Sequence, residues 1–132
     1  MSRENVEAAG RLYKLYERGD IEGMLARMHP DLEVDLTERL FDEGILRGRD
    51  AYRAFLQRTF GIWAEFRFEV EELLDAGDAV VALVRTVGVG RESRIEVEER
   101  NAHVAWMRNG TMYRVKVFAE RERALEAAGL SE

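Results

Sequence analysis

The stretch AHVAWMRNGTMYRVKVF, Ala102 to Phe118, decides the fold, because two strand patterns flank a turn signal. β-branched and aromatic residues, which favour strands, are frequent on both sides. Asn109-Gly110 between them favours a tight hairpin turn, since both residues tolerate positive φ. Side chains alternate between the two faces of a strand. The pattern therefore predicts an antiparallel hairpin with His103, Ala105 and Met107 on one face and Val104 and Trp106 on the other.

Two more strands are predicted before this hairpin. Phe66, Phe68 and Val70 alternate with charged residues, which is the period of a half-buried strand. The run AVVALVRTVGV, residues 79–89, is almost continuously apolar and follows a turn at Gly77. The loop at residues 90–92 then leads into the strand that contains His103.

The first half of the chain is predicted to be mainly helical. Apolar residues recur at helical spacing from Val6 to Tyr16, and Asp20 can cap a short second helix. A third helix is predicted over residues 50–63, after a strand at 32–36 and a loop at 41–50. A short helix is predicted before Gly129. Helices grouped before antiparallel strands indicate an α+β domain whose sheet curls around the helices.

Composition excludes several classes of function. The chain has 132 residues, which fits one domain spanning residues 1–132. There are no cysteines, and the net charge is −6. We therefore expect a cytoplasmic protein without disulfides, metal or cofactor. An acidic chain without a concentrated basic face is not expected to bind nucleic acid. No apolar run approaches the length of a membrane span.

Several stretches, in this order, resemble the SnoaL-like branch of the nuclear transport factor 2-like superfamily. They are YERGDIEGMLARMHPDLEVDL, LRGRDAYRAFL, LLDAGDAVVALVR, the hairpin above and ERERALEAAGL. The resemblance implies a cone, in which a strongly bent mixed or antiparallel sheet wraps the helices and a pocket opens at the wide end. It does not imply one activity, because this fold hosts enzymes and non-enzymatic modules alike.

The catalytic residues of ketosteroid isomerase, a member of the same superfamily, are not retained here. Alignment on Gly19-Asp20 places Leu12 at its tyrosine position and Leu36 at its base position. Its second aspartate falls near His103. The sequence therefore disfavours a steroid isomerase.

Three residues remain as candidates for chemistry. His103 is predicted to face the pocket, where an imidazole with a pKa of ~6.5 can transfer protons near neutrality. Alternatively, it only packs and forms hydrogen bonds. Arg85 interrupts an apolar strand and needs a partner if it is buried. That partner is either an anionic or carbonyl-bearing ligand or an internal carboxylate, Glu98 or Glu99, depending on the hairpin register.

Asp35 alternates with Val34 and Leu36 and is therefore expected on the outer face. A β-bulge would turn it inward, where it could serve as a base. The resemblance also implies the pocket wall, which we expect to contain Tyr16, Leu12, Leu36, Trp63, Glu99, Asn101 and Val117.

Large apolar residues on the outer sheet face predict a partner surface. These residues are Val104, Trp106 and Phe118, and the resemblance implies a homodimer built on this face.

Two functions remain open. One is a cofactor-free enzyme using general acid–base catalysis on a small apolar or carbonyl-bearing molecule, in the manner of cyclases, isomerases or dehydratases. Arg85 would polarise an oxygen, His103 would move a proton, and Asp35 or Glu99 would orient these two groups or act as base. The other is a non-catalytic module that binds a ligand or dimerises.

Overall fold

The computed structural model describes residues 2–39 and 43–130. Within these ranges the chain forms four helices and six strands. In chain order these are α1 (Ser2–Glu17), α2 (Ile21–Ala26), β1 (Met28–Glu38), β2 (Ile45–Arg47), α3 (Arg49–Ile62), β3 (Trp63–Ala76), β4 (Ala79–Gly90), β5 (Glu96–Arg108), β6 (Thr111–Phe118) and α4 (Arg121–Ala127).

The six strands form one mixed sheet in the order β2-β1-β6-β5-β4-β3. The β1–β6 pair is parallel and the other pairs are antiparallel. The β5–β6 hairpin turns at Asn109 and Gly110, whose φ angles of 53° and 75° are those expected for the Asn-Gly signal. The predicted α+β class is confirmed.

The sheet is curved and does not close. Irregularities in pairing interrupt β1, β3 and β6, including one between Val70 and Glu72 of β3 and one at Tyr113 of β6, which is skipped opposite Trp106 and Met107. Such bulges bend a strand and increase its twist. The strands therefore bend around the N-terminal helices, and the predicted cone is confirmed.

The concave face of the sheet carries the main core. It packs against the apolar faces of α1 and α3, which bury Leu12, Tyr13, Tyr52 and Phe55 among others. Leu12 is only 1% exposed.

The convex face is partly covered by α4. A second apolar cluster forms there around Val81, Val104, Phe118 and Ala124 of α4. Arg121, at the start of α4, donates to the backbone oxygens of the paired strand residues Val84 and Asn101.

This covering corrects the predicted dimer surface. Val104 is 0% and Phe118 3% exposed, because α4 of the same chain lies over them. Trp106 stays half-buried, with the Arg114 guanidinium carbon 4.6 Å from its ring centroid. Of the three residues predicted for the dimer surface, only Trp106 is therefore accessible.

The helix predictions are correct apart from small shifts at their ends. Asp20 caps α2 by accepting a hydrogen bond from the Gly23 amide at 2.9 Å. The predicted loop at 41–50 contains the three-residue strand β2, which pairs with Glu33, Val34 and Asp35 of β1. Residues 41 and 42 of that loop lie outside the described residues.

Candidate functional site

A cavity of about 120 Å³ lies between α1, α3 and the concave face of the sheet. Aromatic and aliphatic side chains form most of its wall. They are Leu36, Phe55, Trp63, Phe66, Phe68, Val97 and Val117. The polar side chains that line it are Tyr16, Arg39, Tyr52, Thr59, Thr86, Glu99, Asn101 and His103. An apolar cavity with a few convergent polar groups is the usual form of a small-molecule site.

Strand β5 supplies the most regular polar feature of the cavity. Glu99, Asn101 and His103 lie at every second position and therefore share the concave face. Asn101 and His103 are buried, whereas Glu99 is only partly buried. The Glu99 backbone pairs with Thr86 of β4, but its carboxylate has no hydrogen-bond or ion-pair partner among the described residues. We call these three side chains the β5 polar stripe.

His103 is fixed by a tyrosine of α1. The Tyr13 hydroxyl lies 3.0 Å from Nδ1 of His103, and both side chains are buried. Tyr13 and Phe68 each place a ring centroid 5.7 Å from the imidazole. In the sequence, Tyr13 falls within the apolar spacing from Val6 to Tyr16 and is not otherwise distinguished. Tyr13 lies three residues before Tyr16 on the same face of α1, and this spacing is the sequence feature that could have indicated its position beside the site.

His103 is neutral at physiological pH. Burial lowers the pKa of His103 to about 4, and the positive charge of Arg39 acts in the same direction. This corrects the expectation that it transfers protons near neutrality. Burial raises the pKa of Tyr13 well above its usual value, so its hydroxyl keeps its proton. If Tyr13 donates to Nδ1, the ring proton lies on Nε2, which has no partner among the described residues.

Asn101 carries an unsatisfied buried acceptor. Its side-chain Oδ1 is inaccessible and has no hydrogen-bond partner among the described residues. An unpaired buried polar atom costs about 1–3 kcal/mol. Because the Asn101 side chain lines the cavity, a turn of its amide would bring this atom within reach of a donor group on a bound molecule.

Arg39 brings a positive charge to the cavity. It follows β1 directly, and its guanidinium carbon lies 5.3 Å from the ring centroid of Phe55. No pattern in the sequence points to Arg39, since it lies outside every strand and helix pattern.

The Trp63 side chain forms one side of the cavity and packs against the backbone of Gly88. A Cβ atom added at Gly88 would lie 2.6 Å from the Trp63 ring, so only glycine allows this contact. The same indole also lines a neighbouring cleft of about 270 Å³, together with Tyr16, Phe66 and Phe68.

Arg85 lies on the convex face, opposite the cavity. It pairs through β4–β5 with Arg100, whose side chain is on the face away from the polar stripe. Arg85 donates to Glu69 at 2.6 Å and to Glu98 at 2.9 Å. The register therefore selects Glu98 rather than Glu99, and this corrects the expectation that Arg85 could contact a ligand in the pocket.

Asp35 also lies on the convex face. Val34 and Leu36 point into the core, so the alternation holds and no bulge turns Asp35 inward. It accepts hydrogen bonds from the amide and hydroxyl of Thr37 and lies 3.7 Å from Nζ of Lys116. Burial opposes its ionisation, but these contacts outweigh that effect and lower the pKa of Asp35. The predicted inward base is therefore replaced by a carboxylate paired on the outer face.

The structure places most of the expected wall residues at the cavity, together with His103. These are Tyr16, Leu36, Trp63, Glu99, Asn101 and Val117. Leu12 is the exception, since it is buried in the core and does not line the cavity.

The described residues contain no group of three or more histidine or acidic side chains placed to hold a metal ion. None of the helices in the described ranges is long and apolar enough to cross a membrane.

Comparison with protein families identifies this arrangement. The model of the SnoaL-like domain matches residues 9–115, which is most of the chain. The chain belongs to the SnoaL-like domain family. A search of the curated proteins found no significant match.

Solved structures support the same fold. TerC, co-crystallised with polyporic acid, is 24% identical with a TM-score of 0.74, over 96% of this chain and 98% of TerC. An NTF2-like protein of Burkholderia thailandensis E264 is 25% identical with a TM-score of 0.77, over 93% and 95%. A candidate polyketide cyclase of Xanthomonas campestris pv. campestris is 19% identical with a TM-score of 0.70, over 96% and 98%.

Proposed function

We propose that this SnoaL-like protein binds a small, oxygen-bearing organic molecule in its cavity and acts on it by cofactor-free acid–base catalysis. The observation that carries the proposal is the β5 polar stripe. It brings together a carboxylate without a partner among the described residues, an amide with a buried, unsatisfied oxygen and a neutral imidazole, at a cavity lined mainly by aromatic and aliphatic side chains. Buried polar groups are normally satisfied, so unpaired ones in a cavity favour a missing ligand.

In this proposal Glu99 is the base. It lines the cavity and has no charged partner among the described residues, which leaves its carboxylate free to accept a proton from a bound substrate. Arg85 and Asp35 have no part in the reaction, because ion pairs and hydrogen bonds hold both on the other face.

His103 and Asn101 are proposed to stabilise the negative charge that develops on a substrate oxygen. With Tyr13 donating to Nδ1, the neutral imidazole offers its Nε2 proton, and the Asn101 amide offers a second donor. Pre-oriented donors in a water-poor site stabilise a developing oxyanion by several kcal/mol in other enzymes, of the order of 3 kcal/mol per donor. His103 thus acts as a hydrogen-bond donor and does not need to titrate.

Two of the similar structures support the choice of ligand and chemistry. TerC was crystallised with an organic acid, and the Xanthomonas protein is a candidate polyketide cyclase. Their low sequence identity to this chain means that they suggest a class of ligand and no particular substrate.

A non-catalytic binding module is the alternative function. No carboxylate of the described residues contacts His103, which favours this alternative because the imidazole then has no partner there that would raise its pKa. In this alternative the same cavity holds a ligand, and Glu99 only adjusts its affinity. Homodimerisation, with Trp106 in the contact, remains a prediction in either case.

Hydrogen–deuterium exchange on a simple ketone can distinguish the two functions. The probe is 2-tetralone, an aromatic ketone with acidic α-protons, followed by NMR in deuterated buffer with and without protein. Binding of the ketone is measured in parallel by calorimetry. Acid–base catalysis predicts faster exchange with the wild type than with Glu99→Gln, at similar affinity.

Each result of the exchange and binding experiments supports a different conclusion. Binding without faster exchange would favour the non-catalytic module over the enzyme. Equal exchange with wild type and Glu99→Gln would remove Glu99 as the base. If the ketone does not bind at all, the proposed ligand class is wrong.

A further inference from the structure

We propose that Arg39 selects an anionic ligand, whose acidic group pairs with the guanidinium at the edge of the cavity. This inference rests on the proposed ligand-binding function and specifies the charge of the molecule that the cavity takes.

The position of Arg39 allows direct contact with a ligand. Its backbone amide donates to the Leu36 oxygen at 3.1 Å, which turns the chain back at the end of β1. The side chain then lies over Phe55 and lines the cavity with Leu36 and Val117. It is 22% exposed, so the guanidinium is neither free in solvent nor buried without access.

Within the described residues, Arg39 is less fully paired than Arg53, Arg85 or Arg123. Among the described residues its charged partner is Glu43, which contacts one nitrogen at 3.2 Å and is itself 43% exposed. Arg123, by contrast, forms a two-point pair with Glu38 at 2.9 and 2.8 Å. A guanidinium can donate to a carboxylate through two parallel hydrogen bonds. With Glu43 as its one charged partner in the described ranges, Arg39 is able to form the stronger, two-point pair with a ligand.

The field of Arg39 reaches the buried hydroxyls of the cavity. Burial raises the pKa of Tyr16 and Tyr52, and the charge of Arg39 opposes that increase. The same charge would stabilise an ionised carboxylate, enol or phenol of a ligand at this end of the cavity.

Glu99 sets the orientation of the ligand in the cavity. It is a carboxylate on β5 that lines the same cavity, so an anionic group is repelled from its vicinity and attracted towards Arg39 on the β1 side. The acidic end of the ligand is therefore placed at Arg39, and the proton to be removed faces Glu99.

The test compares two aromatic probes of the same shape and different charge. These are 2-naphthoate, which is anionic at pH 7.5, and 2-naphthamide, which is neutral. Their affinities for the full chain are measured by calorimetry at low salt. We expect the wild type to bind naphthoate about tenfold or more tightly than naphthamide, as hydrogen bonds to charged groups imply.

Two arginine variants show whether Arg39 causes this preference. Arg39→Gln is expected to weaken naphthoate binding about 10- to 100-fold and to leave naphthamide binding unchanged. Arg85→Gln is the matched control, because it removes an arginine from the convex face. It should retain the preference for naphthoate.

The possible results distinguish this proposal from the function on which it rests. If both probes bind the wild type equally, or if Arg39→Gln keeps the preference, Arg39 does not select the ligand. The cavity would then still bind small aromatic molecules. If neither probe binds, the ligand-binding function fails as well. An equal loss in Arg85→Gln would mean that general surface charge, rather than Arg39, attracts the anion.

Discussion

The two faces of β5 use charged and polar residues in opposite ways. On the convex face Glu98 accepts from Arg85 at 2.9 Å and pairs with Arg100 at 3.3 Å. On the concave face, one residue further along, Glu99 has no partner in the described chain, and Asn101 Oδ1 is buried without one. The same strand thus carries an ion-pair network on its convex face and, on its concave face, polar groups without partners among the described residues.

This difference shows where a ligand is needed. The charged groups of the convex face are already paired with each other within the chain. Exposed ion pairs of this kind contribute little to stability. On the concave face the buried Asn101 Oδ1 carries the cost of an unpaired acceptor in the unliganded protein, which a bound molecule relieves if the amide turns towards the cavity. The candidate site is therefore defined by its unpaired groups rather than by the conspicuous charge of Arg85.

The largest expected effect concerns the covered part of the convex face. Phe118→Ala should lower the free energy of unfolding by about 3–5 kcal/mol, because it opens a cavity beneath α4. Urea unfolding at two protein concentrations measures the loss. If α4 of the same chain provides the cover, the midpoint falls equally at both concentrations.

Trp106→Ala provides the comparison on the uncovered part of that face. Its side chain is only half-buried, so we expect a smaller loss of stability. If Phe118→Ala instead keeps its stability and changes only the oligomeric state, Phe118 belongs to a subunit interface and the role given to α4 is wrong.

The pH dependence of stability distinguishes the buried imidazole from the carboxylates. The pKa of His103 is about 4 in the folded chain, against 6.5 as its ordinary value. The unfolded chain therefore binds the proton first, and stability is lost as the pH falls below 6.5. Between pH 7 and 5 this loss amounts to about 2 kcal/mol.

His103→Gln should remove this part of the pH dependence. The lowered pKa values of carboxylates such as Asp35 contribute mainly at more acidic pH and are shared by both proteins. The difference between the two pH profiles of unfolding free energy therefore isolates the imidazole. Identical slopes between pH 7 and 5 would mean that His103 is accessible to protonation in the folded state.

The fold could be predicted because its signals are local. The Asn109-Gly110 turn and the alternation in β3 fix the hairpins, and the helical spacing in α1 and α3 fixes what the sheet packs against. The short strand β2 was missed because three residues give no periodicity, and its formation depends on pairing with β1.

The site could be predicted only in part, because the face of a strand depends on distant contacts. The run from Ala79 to Val84 is apolar on both faces, since α1 packs on one side and α4 on the other. The sequence therefore could not show on which face Arg85 lies. Once His103 is assigned to the concave face, Asn101 and Glu99 follow from the alternation. Arg39 does not, because only the packing of α3 against β1 brings it to the cavity.

The smallest expected effect compares two tyrosine hydroxyls on α1. Tyr13 bonds His103 at 3.0 Å, whereas the Tyr16 hydroxyl has no partner among the described residues and its ring stacks on Phe68 at 3.9 Å. Tyr13→Phe should lower the free energy of unfolding by about 1–2 kcal/mol, because Nδ1 of the buried imidazole loses its partner. Tyr16→Phe should change it by less than about 0.5 kcal/mol, since the ring contact is kept.

Ligand affinity should show the opposite order, and this makes the comparison decisive for the site. The Tyr16 side chain lines the cavity, so its hydroxyl can donate to a bound oxygen, whereas Tyr13 acts through His103. Urea unfolding and 2-naphthoate binding are measured on both variants. If Tyr16→Phe proves the more destabilising, its hydroxyl is already satisfied in the unliganded protein. The unsatisfied groups of the concave face are then limited to the β5 polar stripe.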